Sequence, residues 1–274
     1  MVGQGQSKDA ADPRAIESLL GFWADAGVDA CYETAPVDRT LQIARPPRPP
    51  AATPAPAPGA KREVGPDVSA AVAEARRLAA EAGDLAALEA AIAAFDGCGL
   101  KFEGARQAVF ARGAPDAPVM IIGEAPGAEE DQQGAPFVGR AGKLLDRMLA
   151  AAGLEGRVFI TNTVYWRPSG NRTPSPAEQA VCAPFLERAI GLVAPKFLLL
   201  VGGAAAKSVL GKSEGILSLR GRWFDWRSAD GALDLPALPT LHPAFLLRQP
   251  AAKKKAWADL LTLTERLDRP ERPG

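Results

Sequence analysis

Four short runs beyond residue 117 carry apolar residues at consecutive positions rather than at every second one: PVMIIG (Pro118 to Gly123), RVFITN (Arg157 to Asn162), KFLLLVG (Lys196 to Gly202) and ALPTL (Ala237 to Leu241). A strand that is apolar on both faces is covered on both faces, which is the habit of parallel sheets flanked by helices. Helical spacing of apolar residues fills the intervals, at Ala141 to Ala152, Pro176 to Val193 and Ala204 to Leu210, and a last amphipathic stretch runs from Ala251 to Leu267. Strand and helix alternating in this way predict an α/β domain, a three-layer α/β/α sandwich with a short, mainly parallel central sheet.

Upstream the texture differs. Ile16, Leu19, Leu20, Phe22 and Trp23 recur at helical spacing within Pro13 to Gly27, predicting a short amphipathic helix whose partner the sequence does not name. The following stretch, with RPPRPPAATPAPAPGA at its centre, has too many prolines for helix or ladder bonding and reads as a semi-rigid spacer. Ala-rich helices are expected at Val68 to Ala82 and Asp84 to Phe95, with Asp84 as the N-cap of the second. The organisation expected is an N-terminal helical extension (1–35), a Pro/Ala linker (36–66) and a catalytic domain (67–274).

Formal net charge is zero over 274 residues, so any nucleic-acid surface must be a local basic patch. Three scattered cysteines, Cys31, Cys98 and Cys182, argue against a disulfide framework and for a reducing compartment. The first residues lack the apolar core of a signal peptide, and the longest apolar stretches are too short to span a bilayer. The expectation is a soluble, cytoplasmic, monomeric protein, associated with the nucleoid in a prokaryote.

In open α/β sheets ligands bind beyond the carboxyl ends of the strands. The four runs end in Gly123-Glu124-Ala125-Pro126-Gly127, in Asn162, in Gly202-Gly203 and in His242-Pro243, which would converge on one crevice. Singly each has an ordinary explanation: Gly and Pro make turns, Asn caps helices, and a lone histidine is more often structural than catalytic. His242 is the one histidine in the chain, and its position beside the other strand ends raises its weight.

The ordered series GEAPGAEEDQQGAPFVGRAGKLLDRML, VFITNTVYWRPSGNRTPSPAE, LVGGAAAKSVLG, LRGRW and PTLHPAFLLRQP, spread over about Phe95 to Leu260, resembles the family 4 uracil-DNA glycosylases of the uracil-DNA glycosylase superfamily. The resemblance implies hydrolysis of the N-glycosidic bond of uracil in DNA, with the base flipped into a pocket and an abasic site left behind. It implies Glu124 and His242 as catalytic residues. Gly123, Ala125, Gly127, Phe137 and Asn162 would surround the uracil. Chemistry agrees: one amide can accept from uracil N3–H and donate to O4, whereas cytosine presents the opposite pattern. Phe137 can stack on the ring. His242 can donate to O2 as charge develops there, and Glu124 can face the cationic sugar and the attacking water. Gly127 lacks the large side chain that could crowd a C5 methyl, which leaves the range of excised bases open to thymine or damaged bases, with Glu130 as a group that could partly fill that side of the pocket.

By the same resemblance Arg167, Asn171, Arg172 and Thr173 form a backbone-gripping loop, Gly202 and Gly203 offer amides to a phosphate, and Leu246 and Leu247 are wedges beside Arg248. The Lys253-Lys254-Lys255 run is either a phosphate contact or a solvated helix face. The partner expected is uracil-containing DNA, with abasic DNA as product.

Family 4 enzymes carry four cysteines on a four-iron four-sulfur cluster. Here the matching positions hold Phe95, Cys98, Trp166 and Cys182, two of four, and Cys31 lies far upstream. The expectation is no cofactor, with aromatic packing in place of ligation. The competing reading is a non-catalytic module that binds uracil or abasic sites. A metal-dependent phosphatase lacks the second carboxylate cluster it would need.

Overall fold

The computed structural model describes residues 68–269, so the helix expected at Pro13 to Gly27, the proline-rich spacer and Cys31 lie outside the described residues. Six strands form one mixed sheet: β1 (Ala111–Gly113), β2 (Val119–Gly123), β3 (Val158–Asn162), β4 (Phe197–Val201), β5 (Phe224–Arg227) and β6 (Asp234–Thr240), in the order β1-β3-β2-β4-β6-β5. The inner four run parallel and coincide with the four apolar runs. The two edge strands are antiparallel and are additions to the expected four. β1 has three residues and β5 reads FDWR with alternating exposure, so neither carries the continuous apolar signature of a strand covered on both faces.

Every position of β2, β3 and β4 is buried. Their side chains divide with period two between the faces. Met120, Ile122, Leu198 and Leu200 enter the core beneath α1 (Val68–Glu81), α2 (Leu85–Ala94) and α5 (Pro176–Val193). Val119, Ile121, Leu199 and Val201 enter the opposite core, with Leu145 and Leu149 of α4 (Arg140–Ala151) and Leu260 and Leu263 of α9 (Lys253–Asp268). That is the three-layer α/β/α sandwich expected. Asp84 caps α2, its Oδ1 accepting from Ala87 N at 2.7 Å. Ser175 and Glu178 close a reciprocal capping box at the start of α5. The short helices α3 (Ala128–Gln133), α6 (Gly203–Leu210), α7 (Ile216–Leu219) and α8 (Pro243–Arg248) sit beside strand ends. The last helix is shorter than expected at its start, because a separate 3-10 turn takes Pro250–Ala252.

The LRGRW stretch has a structural job. Arg220 donates to Asp259, which is fully buried and also accepts from Thr240 Oγ1 at 2.7 Å. This ties the end of β6, two residues before His242, to α9. Among the described residues no helix is long and apolar enough to cross a membrane.

Candidate active site

Parallel pairing sets Gly123 beside Asn162 at the ends of β2 and β3, so the loop after each strand leaves from the same edge. Thr163 fastens the two loops together, its amide donating to Gly123 O at 2.9 Å and its hydroxyl to Glu124 O at 2.7 Å. Residue 123 must be glycine for a packing reason: a Cβ there would lie 2.4 Å from Asn162 Oδ1 and 2.6 Å from the Phe137 ring. A cavity of about 530 Å³ opens at these strand ends, its lining including Glu124, Ala125, Gly127, Phe137, Asn162 and His242.

Asn162 is 1% exposed, and its Oδ1 has no hydrogen-bond partner. Among the described residues only Tyr165 Oη shares that condition. An orphaned buried acceptor costs about 1–3 kcal/mol, so one that lines a cavity is a place for a donor to arrive. His242 caps α8, its Nδ1 accepting from Ala244 N at 3.1 Å. The second ring nitrogen, Nε2, therefore carries the proton of the neutral ring. Burial, then the positive charge of Arg248, push the His242 pKa down from 6.5 to about 4, against a smaller opposing pull from Glu130. The imidazole is neutral at pH 7. Gly202 makes room for it: at φ 98° it takes a backbone shape side chains avoid, and a Cβ there would sit 3.1 Å from His242 Cβ. Glu124 lines the same cavity, and no hydrogen bond or ion pair to its carboxylate is present among the described residues.

Phe137 stands against His242 with ring centroids 5.7 Å apart and the planes 31° from parallel. Its backbone is left-handed, φ 55°, a strained state for a phenylalanine that surrounding groups must hold. Arg112, on β1, holds it: Nε donates to Pro136 O at 2.7 Å, and one Nη donates to Phe137 O at 3.2 Å and to Asp146 at 2.6 Å. Gly142 completes the seat, because a Cβ there would overlap the Phe137 carbonyl. On the other side Glu130 accepts from the amides of Gly127, Val138 and Gly139 at 3.0–3.1 Å and so clamps the whole loop. Its carboxylate occupies the space beside Gly127, 2.7 Å from where a Cβ would stand. Nothing in the sequence marked Arg112, which lies on a strand too short to show a pattern. Replacing it with Ala should lower kcat/KM roughly 10- to 100-fold by letting the Phe137 loop relax, with little change in Tm. Unchanged kinetics in that variant would mean that Phe137 holds its conformation unaided.

The expected DNA-gripping residues divide. Pro168, Asn171, Arg172 and Thr173 form one wall of the cavity, and Arg167 braces it by donating to Asn171 Oδ1 at 2.8 Å. Arg172 is no free cation, being paired with Glu178 at 2.7 Å and Glu103 at 2.9 Å. Arg248 lines the cavity and Leu247 is 38% exposed. Two expectations need correction. Leu246 is fully buried against Leu144, Leu241 and Ala256, so it is a core residue and not the exposed wedge expected. Gly202 donates its amide to Thr240 O at 2.9 Å, so that amide is engaged within the fold, and Gly203 is half-buried at the start of α6.

The positions matching a cluster's ligands do not fit one. Cys98 and Cys182 are free, buried thiols 4.0 Å apart, with Cys182 donating. The hydrogen bond between them raises the pKa of the Cys182 thiol, together with burial, and lowers that of Cys98, as two thiols sharing one proton do. Phe95 and Trp166 hold the remaining positions, both buried, Phe95 edge-on to Phe185 at 5.2 Å. Among the described residues no group of three or more His, Cys, Asp or Glu side chains is placed to hold a metal ion.

The model of the uracil DNA glycosylase superfamily matches residues 110–261, from just before β1 to the middle of α9. The chain belongs to that superfamily. Within it the chain is 38% identical over 171 residues to a type-4 uracil-DNA glycosylase of Sulfurisphaera tokodaii, covering 60% of this chain and 77% of the relative. It is 39% identical over 160 residues to the type-4 enzyme of Pyrobaculum aerophilum (57% and 81%) and 40% identical over 142 residues to that of Thermotoga maritima (51% and 71%).

Proposed function

We propose that this protein is a monofunctional uracil-DNA glycosylase that hydrolyses the bond between uracil N1 and the deoxyribose C1′ and leaves an abasic site. The observation that carries the reading is the unpartnered Asn162 Oδ1 at the cavity wall. It would accept from uracil N3–H while the same amide donates to O4, against the stacking face of Phe137. As the glycosidic bond lengthens, negative charge grows on O2 and positive charge on the sugar. His242 Nε2–H donates to O2, fixed in the right tautomer by the bond at Nδ1. Glu124 stabilises the cationic sugar and holds the water that adds to C1′, the proton leaving with the solvent. No Lys stands among the lining residues, which favours simple hydrolysis over a Schiff base with the sugar. The chain works without an iron–sulfur cluster, Phe95 and Trp166 doing by packing what ligation does in family 4.

The assay is release of free uracil from a labelled oligonucleotide, with a cytosine-containing strand alongside. Uracil release without cytosine release supports the reading; retention of both bases with tight binding to abasic DNA would favour the binding module. The pH profile adds a second check. Protonating His242 removes the Nδ1 acceptor and frees the ring from its cap. With the pKa near 4, kcat should hold as pH falls through 6.5 and drop only as it nears 4. A profile that already halves near pH 6.5 would contradict a neutral donor.

A further inference from the structure

Away from the cavity the surface carries a second feature that the proposed reaction leaves unused. Trp257 is 37% exposed on α9 and, with Met148 of α4 and the aliphatic stems of Lys253 and Lys254, lines a pocket of about 330 Å³. An exposed indole over an apolar pocket rimmed by ammonium groups is the combination that binds unpaired nucleobases, with a π-face for the base and cations for its phosphates.

Two routes connect this pocket to the active site. α4 starts at Arg140, three residues past Phe137, and reaches Met148 about 12 Å further on at 1.5 Å per residue. Arg140, Lys143 and Arg147 lie along one exposed side of it, at spacings of three and four. The single acid on that side, Asp146, is taken by Arg112. The other route is the segment from Arg248, which lines the cavity, through the 3-10 turn to α9: RQPAAKKKAW, with Arg248 and three lysines and no acidic residue. Lys253 and Lys254 are exposed and have no ion-pair partner among the described residues. In a chain of zero net charge this is a local positive strip, and it leads from the flipped nucleotide to an aromatic pocket.

We propose that this strip carries single-stranded DNA on one side of the target uracil and that an unpaired base, about three or four nucleotides away at stacked spacing, stacks on Trp257. A paired base is shielded by its partner, so the pocket favours uracil in single strands. The proposal rests on the glycosylase reading for its route but not for its binding test.

The experiment measures excision from oligonucleotides in which uracil has one flanking nucleotide on one side and one to eight on the other, in both polarities, single-stranded and paired. Wild-type KM should fall as the single strand lengthens on one side only. Trp257→Ala should remove that gain, on the order of tenfold, leaving kcat and the KM of the shortest substrate unchanged, and Trp257→Phe should retain most of it. The Lys253→Ala/Lys254→Ala double variant should reduce the salt dependence of log KM by about 1.4, two phosphate contacts' worth on a single strand. Fluorescence anisotropy with a labelled uracil-free strand repeats the comparison without catalysis. Equal KM and equal affinity for wild type and Trp257→Ala on every length, or equal loss on paired and unpaired flanks, would overturn the proposal. If wild type excises from none of the substrates while Trp257→Ala still weakens anisotropy binding, the glycosylase reading fails and the strand site stands.

Discussion

Asn162→Ala should lower kcat/KM for uracil excision by about 10³-fold while the folded protein still binds abasic DNA. The magnitude reflects the work of the amide in the proposed reaction. It satisfies two edge atoms of the uracil from a buried position at the cavity wall, and removing it leaves both unpaired, a far larger penalty than a lost surface contact. Folding should survive, because Asn162 Oδ1 bonds to nothing in the protein and its loss breaks no hydrogen bond there. Asn162→Asp separates recognition from packing. It keeps the shape but replaces the donor facing O4 with an acceptor, so uracil should be disfavoured and cytosine, whose N4 donates, relatively favoured. The check is single-turnover excision of both bases by wild type and both variants. A drop in Tm matching the loss of activity, or an Asn162→Asp protein as selective as wild type, would mean that this side chain is structural.

The second large effect is at His242. His242→Ala should reduce kcat by 10²–10³-fold, the usual cost of removing one preorganised donor to a developing anion, with a smaller change in KM. Because the ring caps α8 through Nδ1, truncation also removes an N-cap worth about 1 kcal/mol, and a Tm measured alongside separates the two. His242→Asn, which can still cap, should recover stability and little activity. The titration has a thermodynamic counterpart. The folded pKa lies below the unfolded one, so between pH 6.5 and about 4 the unfolded chain binds more protons. Stability from this residue is complete above 6.5 and declines as pH falls through that window. Loss of the imidazole in His242→Ala should flatten that decline.

Much of this site was legible in the sequence because of one physical regularity. Strands buried on both faces show as unbroken apolar runs, and in a parallel sheet the residues directly after each run gather at one edge. Gly123-Glu124, Asn162, Gly202 and His242 were found that way, and the cavity gathers Glu124, Asn162 and His242. The features that were not legible depend on contacts between residues far apart in sequence. Leu246 and Leu247 are equivalent in composition, and only the position of α8 against Leu144 and Ala256 makes one core and the other surface. Phe137 carries no sign of its left-handed backbone, since the groups enforcing it are Arg112, 25 residues upstream, and Gly142 on the next helix. Glu130 reads as one acid among three in EED, yet it alone bonds three loop amides. The edge strands escaped for a related reason, being short and half-covered, so their sequence need not be apolar.

The most direct test is a single gel. Wild type, Glu124→Ala and His242→Ala are incubated in chelator with a uracil-containing strand, and abasic product is cleaved with alkali. Metal-independent scission by wild type that falls at least a hundredfold in both variants is the predicted result. Intact strand in the wild-type lane, with abasic DNA still bound, would contradict glycosylase chemistry at this site.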